Sequence, residues 1–466
     1  MTKPPAAGNP VAVSLYEKHR TIYARAAQGM FANWRIALVL LTQLVFYGAP
    51  WLEWNGRQAI LFHLVERKFY LFGLVLWPQD VIYLAVLLII SAYALFLVTA
   101  VAGRLFCGYA CPQTVYTEVF MWIENWVEGE RNARMKLDKE PMSARKLRIK
   151  ATKHALWILV GLWTGFTLVC YFTPVNELME EAKTFSFSGW ETFWIFFYGG
   201  FTYLMAGFMR EQVCKYMCPY ARFQSVMFDP DTLIITYDQE RGEPRGARKK
   251  GADLKAQGLG QCVDCGICVQ VCPTGIDIRK GLQYECIGCA ACIDACDGVM
   301  DKVGYPRGLV RYSTENAGSQ HLSRREIVGR IVRPRILLYT AILMAIVGTT
   351  GWFIGHRIPL KVDVIRDRAT LTREAEDGSI ENIYMLRFMN TDERPHRYRI
   401  GISGLDGIGV SSSEVEVPAA SLKEMPMVVH APPGSGKSGS NPVHFDIVAE
   451  ENDSIHIREK AAFMLP

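Results

Sequence analysis

Two consecutive runs of cysteines constrain this chain more than any other feature of its sequence. The first is Cys262-x₂-Cys265-x₂-Cys268-x₃-Cys272-Pro273, and the second is Cys286-x₂-Cys289-x₂-Cys292-x₃-Cys296. In this spacing, three thiolates of a run bind three irons of one [4Fe–4S] cluster, and the fourth cysteine binds the other cluster. The runs therefore predict two clusters with crossed ligands: Cys262, Cys265, Cys268 and Cys296 for one, and Cys286, Cys289, Cys292 and Cys272 for the other.

Two other uses of cysteine fit this pattern poorly. A structural zinc site takes four ligands, often as two CxxC pairs, and has no use for eight at this spacing. A disulfide framework is uncommon in a long chain whose cysteines gather in one region. The cluster interpretation implies transfer of single electrons, so the question becomes where the electrons come from and where they go.

Half of the 466 residues are hydrophobic, and five apolar stretches are long enough to span a bilayer. They are Trp34–Leu52, Val81–Ala102, Ala155–Thr173, Trp190–Met209 and Ile336–Gly355. The fourth is the least regular, because Glu191 lies near its start and Gly199-Gly200 interrupts it. We therefore predict a multi-pass membrane protein with a bundle of about five helices.

Basic residues beside these stretches predict their orientation. They occur before the first span (Lys3, Lys18, Arg20, Arg25), through the loop Arg104–Lys153, and after Arg210 (Arg241, Arg245, Arg248, Lys249, Lys250). The loop Pro174–Gly189 instead carries Lys183 against three glutamates. We expect the N-terminus and the cluster region in the cytoplasm and the C-terminal tail outside. The first apolar run starts late after a mixed, polar segment, so we interpret it as an uncleaved span.

The tail beyond the last span has a different pattern. Short segments with alternating apolar residues recur between turn-forming runs, which predicts an antiparallel β-sandwich. The predicted organisation is a cytoplasmic segment (1–33), four spans (34–224), a ferredoxin-like domain (225–335), a fifth span (336–355) and a periplasmic sandwich (356–466).

Four further cysteines lie in two matching motifs, Cys107-Gly-Tyr-Ala-Cys111-Pro112 and Cys214-Lys-Tyr-Met-Cys218-Pro219. One motif follows the second predicted span and the other follows the fourth, which indicates an internal duplication. The i, i+4 spacing predicts that both sulfurs of a motif lie on one helical face, suited to a soft metal ion or a redox pair. The proline is tolerated if a helix starts there.

The four thiols could form one site if the two motifs are neighbours. Thiolates favour Cu(I), zinc or iron–sulfur centres. Inert buried thiols are the alternative interpretation, which the repeat of the motif makes less attractive.

These features together resemble the FixG/CcoG family of accessory proteins for assembly of the C-family haem–copper cytochrome c oxidase. The resemblance covers nearly the whole chain and rests on both CxxxCP motifs, the stretch Tyr237–Arg245 and the two cluster runs. Cluster runs alone are shared by many ferredoxin-like modules, and the paired motifs also occur in membrane iron–sulfur proteins of the NapH and NosR types. The second run ends Cys296-Asp297 instead of Cys-Pro, and all eight ligands remain.

The resemblance implies an immunoglobulin-like C-terminal domain and a cupric reductase of the bacterial inner membrane. Copper would be reduced at the motif cysteines, Cys107, Cys111, Cys214 and Cys218. It further implies transfer of Cu(I) to copper transporters or chaperones and contact with oxidase assembly factors. We expect membrane lipid as a partner, a homodimer as a possible assembly, an electron donor that the sequence does not identify, and no nucleic acid.

Two other functions remain open at this point. One is a membrane conduit that carries electrons from quinol, as in NapH-type proteins, which requires a quinone pocket and no copper. The other is a non-catalytic assembly scaffold whose clusters are structural or sensory. Copper content and Cu(II) reduction by the purified protein separate the three.

Overall fold

The computed structural model describes residues 21–248, 257–367, 372–376 and 378–466. Residues 1–20 of the predicted segment 1–33, with Lys3, Lys18 and Arg20, lie outside the described residues, as do Lys249 and Lys250. By contacts the chain forms two compact units, described here one at a time. Unit 1 comprises Met1–Val39, Val98–Trp157 and Tyr203–Ile331, and unit 2 comprises Leu40–Leu97, Ile158–Thr202 and Val332–Pro466.

The described α-helices are numbered here in chain order. They are α1 Met30–Gly48, α2 Val81–Ala102, α3 Leu105–Tyr109, α4 Pro112–Glu128, α5 Arg131–Lys139, α6 Ala144–Val169, α7 Val175–Thr184, α8 Gly189–Thr202, α9 Pro219–Met227, α10 Gln239–Gly242, α11 Ile267–Gln270, α12 Ala291–Val303, α13 Glu315–Gln320, α14 Arg324–Gly329 and α15 Pro334–Gly355. Two π-helices, Tyr203–Met209 and Val213–Met217, follow α8. Three 3₁₀ turns are Ala49–Trp51, Pro78–Asp80 and Ile278–Lys280.

The described strands are numbered in the same way. They are β1 Glu53–Trp54, β2 Arg57–Gln58, β3 Ile60–His63, β4 Lys68–Leu71, β5 Leu74–Leu76, β6 Ile234–Tyr237, β7 Val310–Ser313, β8 Leu360–Arg366, β9 Arg373–Glu374, β10 Ile380–Asn390, β11 His396–Ser403, β12 Gly409–Val410, β13 Glu414–Val417, β14 Leu422–Ala431, β15 Gly439–Ala449 and β16 Asn452–Leu465.

Among the described residues, four helical stretches are long and apolar enough to cross a membrane. They are Met30–Trp51, Pro78–Ala102, Gly189–Met209 and Pro334–Gly355, each within a few residues of a predicted span. The remaining predicted span, Ala155–Thr173, is not one of them. It lies largely in α6, a helix of 26 residues whose first part is basic, and the helix ends at Val169 before the predicted span does.

In unit 1, the two cluster runs lie between the paired strands β6 and β7. The strands are antiparallel, with Ile234 opposite Ser313 and Tyr237 opposite Val310. Ile235, Tyr237, Ile293, Met300 and Leu309 belong to the core of this module, and five cluster-run cysteines pack within or against it. Strand β6 precedes the cluster runs and β7 follows them, so the pairing of these strands brings the two ends of the module together.

Helix α12 of this module also caps the first membrane helix. The carboxylate of Asp294 accepts hydrogen bonds from the backbone N–H groups of Phe31 and Ala32, at 3.2 and 2.7 Å. A helix N-terminus carries unpaired donors and partial positive charge, so a carboxylate is stabilising there. Asp294 lies between Cys292 and Cys296, and this contact fixes the cluster module against the start of α1.

A buried ionic network joins several other segments of unit 1. Glu124 of α4 contacts Arg134 at 2.8 Å and Arg210 at 3.1 Å, and Glu128 contacts Lys153 at 2.8 Å. Removing one partner of a buried pair leaves an uncompensated charge and costs about 3–5 kcal/mol. The network thus holds α4, α5, α6 and the segment after the first π-helix in a fixed arrangement.

In unit 2, helices α6 and α8 approach closely where both carry glycine. A Cβ atom on Gly199 would lie 3.1 Å from the carbonyl oxygen of Gly161, and one on Gly165 would clash with the carbonyl oxygen of Ile195. Small residues at such crossings let helix backbones pack in a membrane. Gly161 and Gly165 are four residues apart and so lie on one face of α6.

The tail forms the predicted two-sheet sandwich. One sheet has the order β12-β14-β10-β8, with β9 also on β10, and the other has the order β13-β11-β15-β16. Alternate residues point inward, including Tyr384, Phe388, Tyr398 and Phe445, all with at most 1 % of their surface exposed. Burying such side chains contributes about 1.5–3 kcal/mol each, and this core replaces the disulfide that the sandwich lacks.

The segment between the first two spans contacts the sandwich within unit 2. Asp80 pairs with Arg357 at 2.8 Å and also with Lys361, and Arg57 pairs with Glu393 at 2.6 Å. Gln58 donates a hydrogen bond to the carbonyl oxygen of Cys170, at 2.8 Å. The segment between the first two spans, the end of α6 near Cys170 and the C-terminal tail therefore belong to one unit.

Candidate redox centre

One cavity of unit 1 is lined by Cys262, Cys265, Cys268 and Cys296, the four cysteines predicted to bind the first cluster. Its empty space is about 380 Å³, and its remaining walls include Tyr237, Arg279 and Leu309. Cys265 is exposed and Cys262 is buried. The first set of thiols thus surrounds a space of its own and has one ligand at the protein surface.

A second cavity is lined by Cys272, Cys286, Cys289 and Cys292, the predicted ligands of the second cluster, and also by Cys268. Its empty space is about 330 Å³, and isoleucines form much of the rest of its wall. Because Cys268 lines both cavities, the two sets of thiols lie next to each other. The cysteines that line each cavity are those that the spacing assigns to one cluster. The ligation of the clusters by these crossed sets stays a prediction.

The backbone turns in the same way in both runs. The residues before and after the second cysteine have left-handed conformations: Asp264 and Gly266 in the first run, Gly288 and Ala290 in the second. Such turns direct successive N–H groups into a concavity that suits an anionic centre, including an iron–sulfur cluster. A helix then begins at Ile267 and at Ala291.

Burial affects the ionisation of these thiols before iron binds. It raises the pKa of Cys268 to about 11 and the pKa values of Cys286 and Cys296 to about 12. Iron binds thiolate, so cluster assembly must displace these protons and replace buried neutral thiols with metal-bound sulfur. Eight thiols in two groups, each around an apolar cavity, fit two [4Fe–4S] clusters.

The CxxxCP motifs fold alike but not as predicted. Cys107 lies in the short helix α3, which ends at Tyr109, and Cys111 is the extended N-cap residue before Pro112 of α4. Cys214 lies in the second π-helix, and Cys218 is the extended N-cap residue before Pro219 of α9. The predicted single helical face was wrong, because proline forces the preceding residue into an extended conformation and starts a new helix.

The similarity of the two motifs extends to the residue that follows the preceding helix. Gly103 and Arg210 each stand four residues before the first cysteine of a motif, and both have positive φ, 55° and 37°. Gln113 of α4 donates hydrogen bonds to the carbonyl oxygens of Met205 and Arg210, at 3.0 and 3.2 Å. Helix α4, which follows the first motif, is thereby hydrogen-bonded to the segment that leads into the second motif.

The four motif thiols lie near enough to influence one another. Burial, together with the neighbouring Cys111, raises the pKa of Cys107 to about 11. Burial raises the pKa of Cys214 to about 12, with further contributions from Cys111, Cys107 and Cys218. Within the described ranges, no group of three or more His, Cys, Asp or Glu side chains converges closely enough to hold one metal ion.

The motifs also contact the second set of cluster thiols. Cys107 and Cys214 both pack against a buried group formed by Val271, Ile287, Cys289 and Ala291. A Cβ atom on Gly108 would lie 2.8–2.9 Å from backbone atoms of Ile287 and Cys289. Only glycine permits this approach, which places the first motif directly against the second cluster run.

Sequence reasoning missed several polar side chains around the thiols. The Tyr312 hydroxyl donates to the carbonyl oxygen of Gly288 at 2.6 Å, and the Cys107 thiol donates to Gln224 at 3.4 Å. Arg35 of α1 contacts Glu118 of α4 at 3.4 Å beside Cys289. An arginine inside an otherwise apolar span is the sequence signal that would have found this last pair.

Comparison with family models places these motifs in known domains. A model described as a 4Fe-4S dicluster domain matches residues 209–315, and one described as a 4Fe-4S binding domain matches residues 84–131. A third, described as an IG-like fold at the C-terminal of FixG, matches residues 350–466. The first two matches support two [4Fe–4S] clusters, and they include Cys214 and Cys218, and Cys107 and Cys111, respectively.

Full-length relatives decide the family. The nitrogen fixation protein FixG of Rhizobium meliloti (strain 1021) is 37% identical over 97% of this chain and 94% of its own length. The chain belongs to the FixG/CcoG family. Protein RdxB of Cereibacter sphaeroides is 39% identical over 87% of this chain and 88% of its own length.

A crystal structure of a FixG-related protein from Vibrio parahaemolyticus matches 23% of this chain and 95% of that chain, with 24% identity and a TM-score of 0.21. The membership that the sequence motifs predicted is confirmed by the full-length relatives. This FixG-family protein is a membrane iron–sulfur redox protein with an immunoglobulin-like C-terminal domain.

Proposed function

We propose that this FixG-family protein reduces Cu(II) to Cu(I) for delivery to the C-family haem–copper oxidase during its assembly. Two bound [4Fe–4S] clusters supply single-electron transfer. One observation carries the proposal: Cys107 and Cys214, one from each CxxxCP motif, pack against the group that contains Cys289. Thiols that can bind copper therefore adjoin a predicted ligand of the second cluster.

The donor set suits the product of this reaction. Thiolates are soft ligands and favour Cu(I), whereas Cu(II) prefers nitrogen and oxygen ligands. Cys111 and Cys218, the second thiols of the two motifs, are N-cap residues of α4 and α9. The motif cysteines therefore stabilise copper more strongly after it has gained an electron.

The exposure of the thiols suggests a direction for the electrons. Cys265 in the first set is exposed, and Cys289 in the second set is buried beside Cys107 and Cys214. We infer that electrons enter at the first set, pass to the second set and leave toward the CxxxCP thiols. Cys268, which lines both cavities, lies on the shared wall between the sets.

The proposed location is the bacterial inner membrane, with the cluster module in the cytoplasm and the sandwich in the periplasm. The distribution of basic residues supports this orientation. On this proposal α6 crosses the membrane as the third of five spans.

The proposed partners follow from the product and from the family. Cu(I) is passed to copper transporters or chaperones, and oxidase assembly factors meet the protein in the membrane. Membrane lipid surrounds the spans, and a homodimer and the absence of nucleic acid stay predictions.

Anaerobic purification followed by metal analysis and a Cu(II) reduction assay tests this function. The expected result is about eight irons per chain, from two cubanes, together with copper binding and formation of Cu(I) by the dithionite-reduced protein. Clusters without copper binding or Cu(II) reduction would favour an electron conduit. Clusters that do not cycle at all would favour an assembly scaffold.

A further inference from the structure

Arg104 is a buried charged residue in unit 1. The sequence places it in the basic loop after the second span, but only 6% of its surface is exposed. Its Nη2 donates a hydrogen bond to the carbonyl oxygen of Ala221 in α9, and its Nε has no hydrogen-bond partner among the residues that the structure describes. No carboxylate in the described part of the chain forms an ion pair with it. A buried charge is normally paired, so this guanidinium lacks the anion that a buried arginine needs.

Three cysteines lie close enough to Arg104 to be influenced by its charge. Burial raises the pKa values of Cys107, Cys214 and Cys286, and the charge of Arg104 opposes this rise at all three. The interaction between charges weakens with distance, so these thiols lie near the guanidinium. Two of them belong to the CxxxCP motifs, and Cys286 is a predicted ligand of the second cluster. Arg104 thus lies beside both proposed metal centres.

The backbone fixes Arg104 in this position. It is the N-cap residue of α3, the helix that carries Cys107. A Cβ atom on Gly288 would lie 3.1 Å from the carbonyl carbon and oxygen of Arg104, so the arginine packs against a turn of the second cluster run. The hydrogen bond to Ala221 joins it to α9, the helix that follows the second motif. One residue therefore contacts the second cluster run and the segments that carry both CxxxCP motifs.

We propose that Arg104 is the shared counter-ion of the copper-binding thiolates and the second cluster. A [4Fe–4S] cluster bound by four thiolates is anionic, and Cu(I) bound by two or more thiolates is anionic as well. Each centre gains one negative charge when an electron reaches it. Electron transfer from the second cluster to copper moves this charge from one neighbour of the guanidinium to another, and the arginine offsets it before and after the transfer. The inference rests on the proposed function, because one of the two centres is the proposed copper site.

Substitutions at Arg104 separate the effect of its charge from that of its packing. Arg104→Gln removes the charge, and Arg104→Lys keeps it. Arg307→Gln is the control, because Arg307 is an exposed arginine of the same module and pairs with Asp301. An EPR-monitored redox titration of the holoprotein measures the midpoint potentials of the two clusters.

We expect Arg104→Gln to lower one of the two midpoint potentials by at least about 59 mV, a tenfold change in the equilibrium of a one-electron centre. The physical reason is that a nearby positive charge stabilises the reduced, more negative cluster. Arg104→Lys and Arg307→Gln should stay close to the wild-type potentials.

A second measurement addresses the copper site. Competition with a Cu(I) chelator, with the clusters oxidised, should show Cu(I) binding at least about tenfold weaker in Arg104→Gln than in wild type. Arg104→Lys and Arg307→Gln should bind Cu(I) nearly as wild type does. Unchanged potentials or unchanged Cu(I) affinity in Arg104→Gln would overturn the inference. Equal losses in Arg104→Lys would also overturn it, because they would assign the effect to packing.

The iron content of each variant completes the comparison. Loss of clusters in Arg104→Gln alone would support the requirement for the charge, whereas loss of clusters in both Arg104 variants would overturn the inference. Wild-type protein that binds no Cu(I) would refute the proposed function. A lowered cluster potential in Arg104→Gln would then still support the role of Arg104 at the second cluster.

Discussion

At the scale of single residues, the protonation of the motif thiols bears directly on the proposed binding of copper. Burial raises the pKa values of Cys107 and Cys214 to about 11 and about 12. Both thiols are therefore neutral near neutral pH, and copper must displace a proton from each thiol that it binds. Binding thus becomes more favourable as the proton concentration falls.

We expect Cu(I) affinity to rise with pH across the range from about pH 6 to about pH 8. The increase should be about tenfold per pH unit for each proton released. Competition with a Cu(I) chelator of known affinity measures it. Cys170→Ala, which removes a cysteine outside the motifs, should retain the full slope. A flat pH profile would show that these thiols are not the ligands.

At the scale of elements, proline and glycine position the site. Pro112 and Pro219 start the helices that follow the motifs, and Gly108 permits contact with the second cluster run. In unit 2, glycines also permit the close crossing of α6 and α8. A Cβ atom on Gly199 would meet backbone atoms of Gly161 and Leu162, whereas a Cβ atom on the adjacent Gly200 would meet nothing within 4 Å.

Gly199→Leu should therefore destabilise the protein, and Gly200→Leu should not. Forcing a side chain into a packed crossing typically costs about 1–3 kcal/mol. Thermal unfolding in detergent, followed by the absorbance of the clusters, compares the two variants. Equal melting temperatures would mean that the close crossing of α6 and α8 does not contribute to stability.

Much of the element-level structure could be predicted from the sequence. Cysteine spacing predicted the two groups of thiols, and hydropathy predicted four spans to within a few residues. The prediction that both sulfurs of a CxxxCP motif lie on one helical face was wrong. Proline forces the residue before it, Cys111 or Cys218, into an extended conformation, and the i, i+4 argument did not include this effect. Contacts such as that of Asp294 with the start of α1 join residues more than two hundred positions apart and leave no local pattern.

At the scale of the whole molecule, the segments of the chain divide between two compact units. The cluster module and both CxxxCP motifs belong to unit 1, and the tail belongs to unit 2. Asp80 and Arg57 tie the first inter-span segment to the tail, so these two parts should face the same compartment.

Reporter fusions test this topology. A reporter joined after Pro466 should behave as exported, and one inserted near Gly258 should behave as cytoplasmic. Removing Pro334–Gly355, the last span, should return the C-terminal reporter to the cytoplasm. A cytoplasmic reporter after Pro466 in the intact protein would mean that α6 does not cross the membrane.

The most direct test of the central claim is a single-turnover reaction in the CxxxCP variants. Protein reduced with dithionite and freed of reductant is mixed anaerobically with Cu(II), while cluster oxidation and Cu(I) formation are followed together. Cys107→Ala/Cys111→Ala and Cys214→Ala/Cys218→Ala should retain the reduced-cluster EPR spectrum and lose copper binding and most Cu(I) formation, whereas Cys170→Ala should match wild type. Full Cu(I) formation in both double variants would contradict electron transfer to copper at these cysteines.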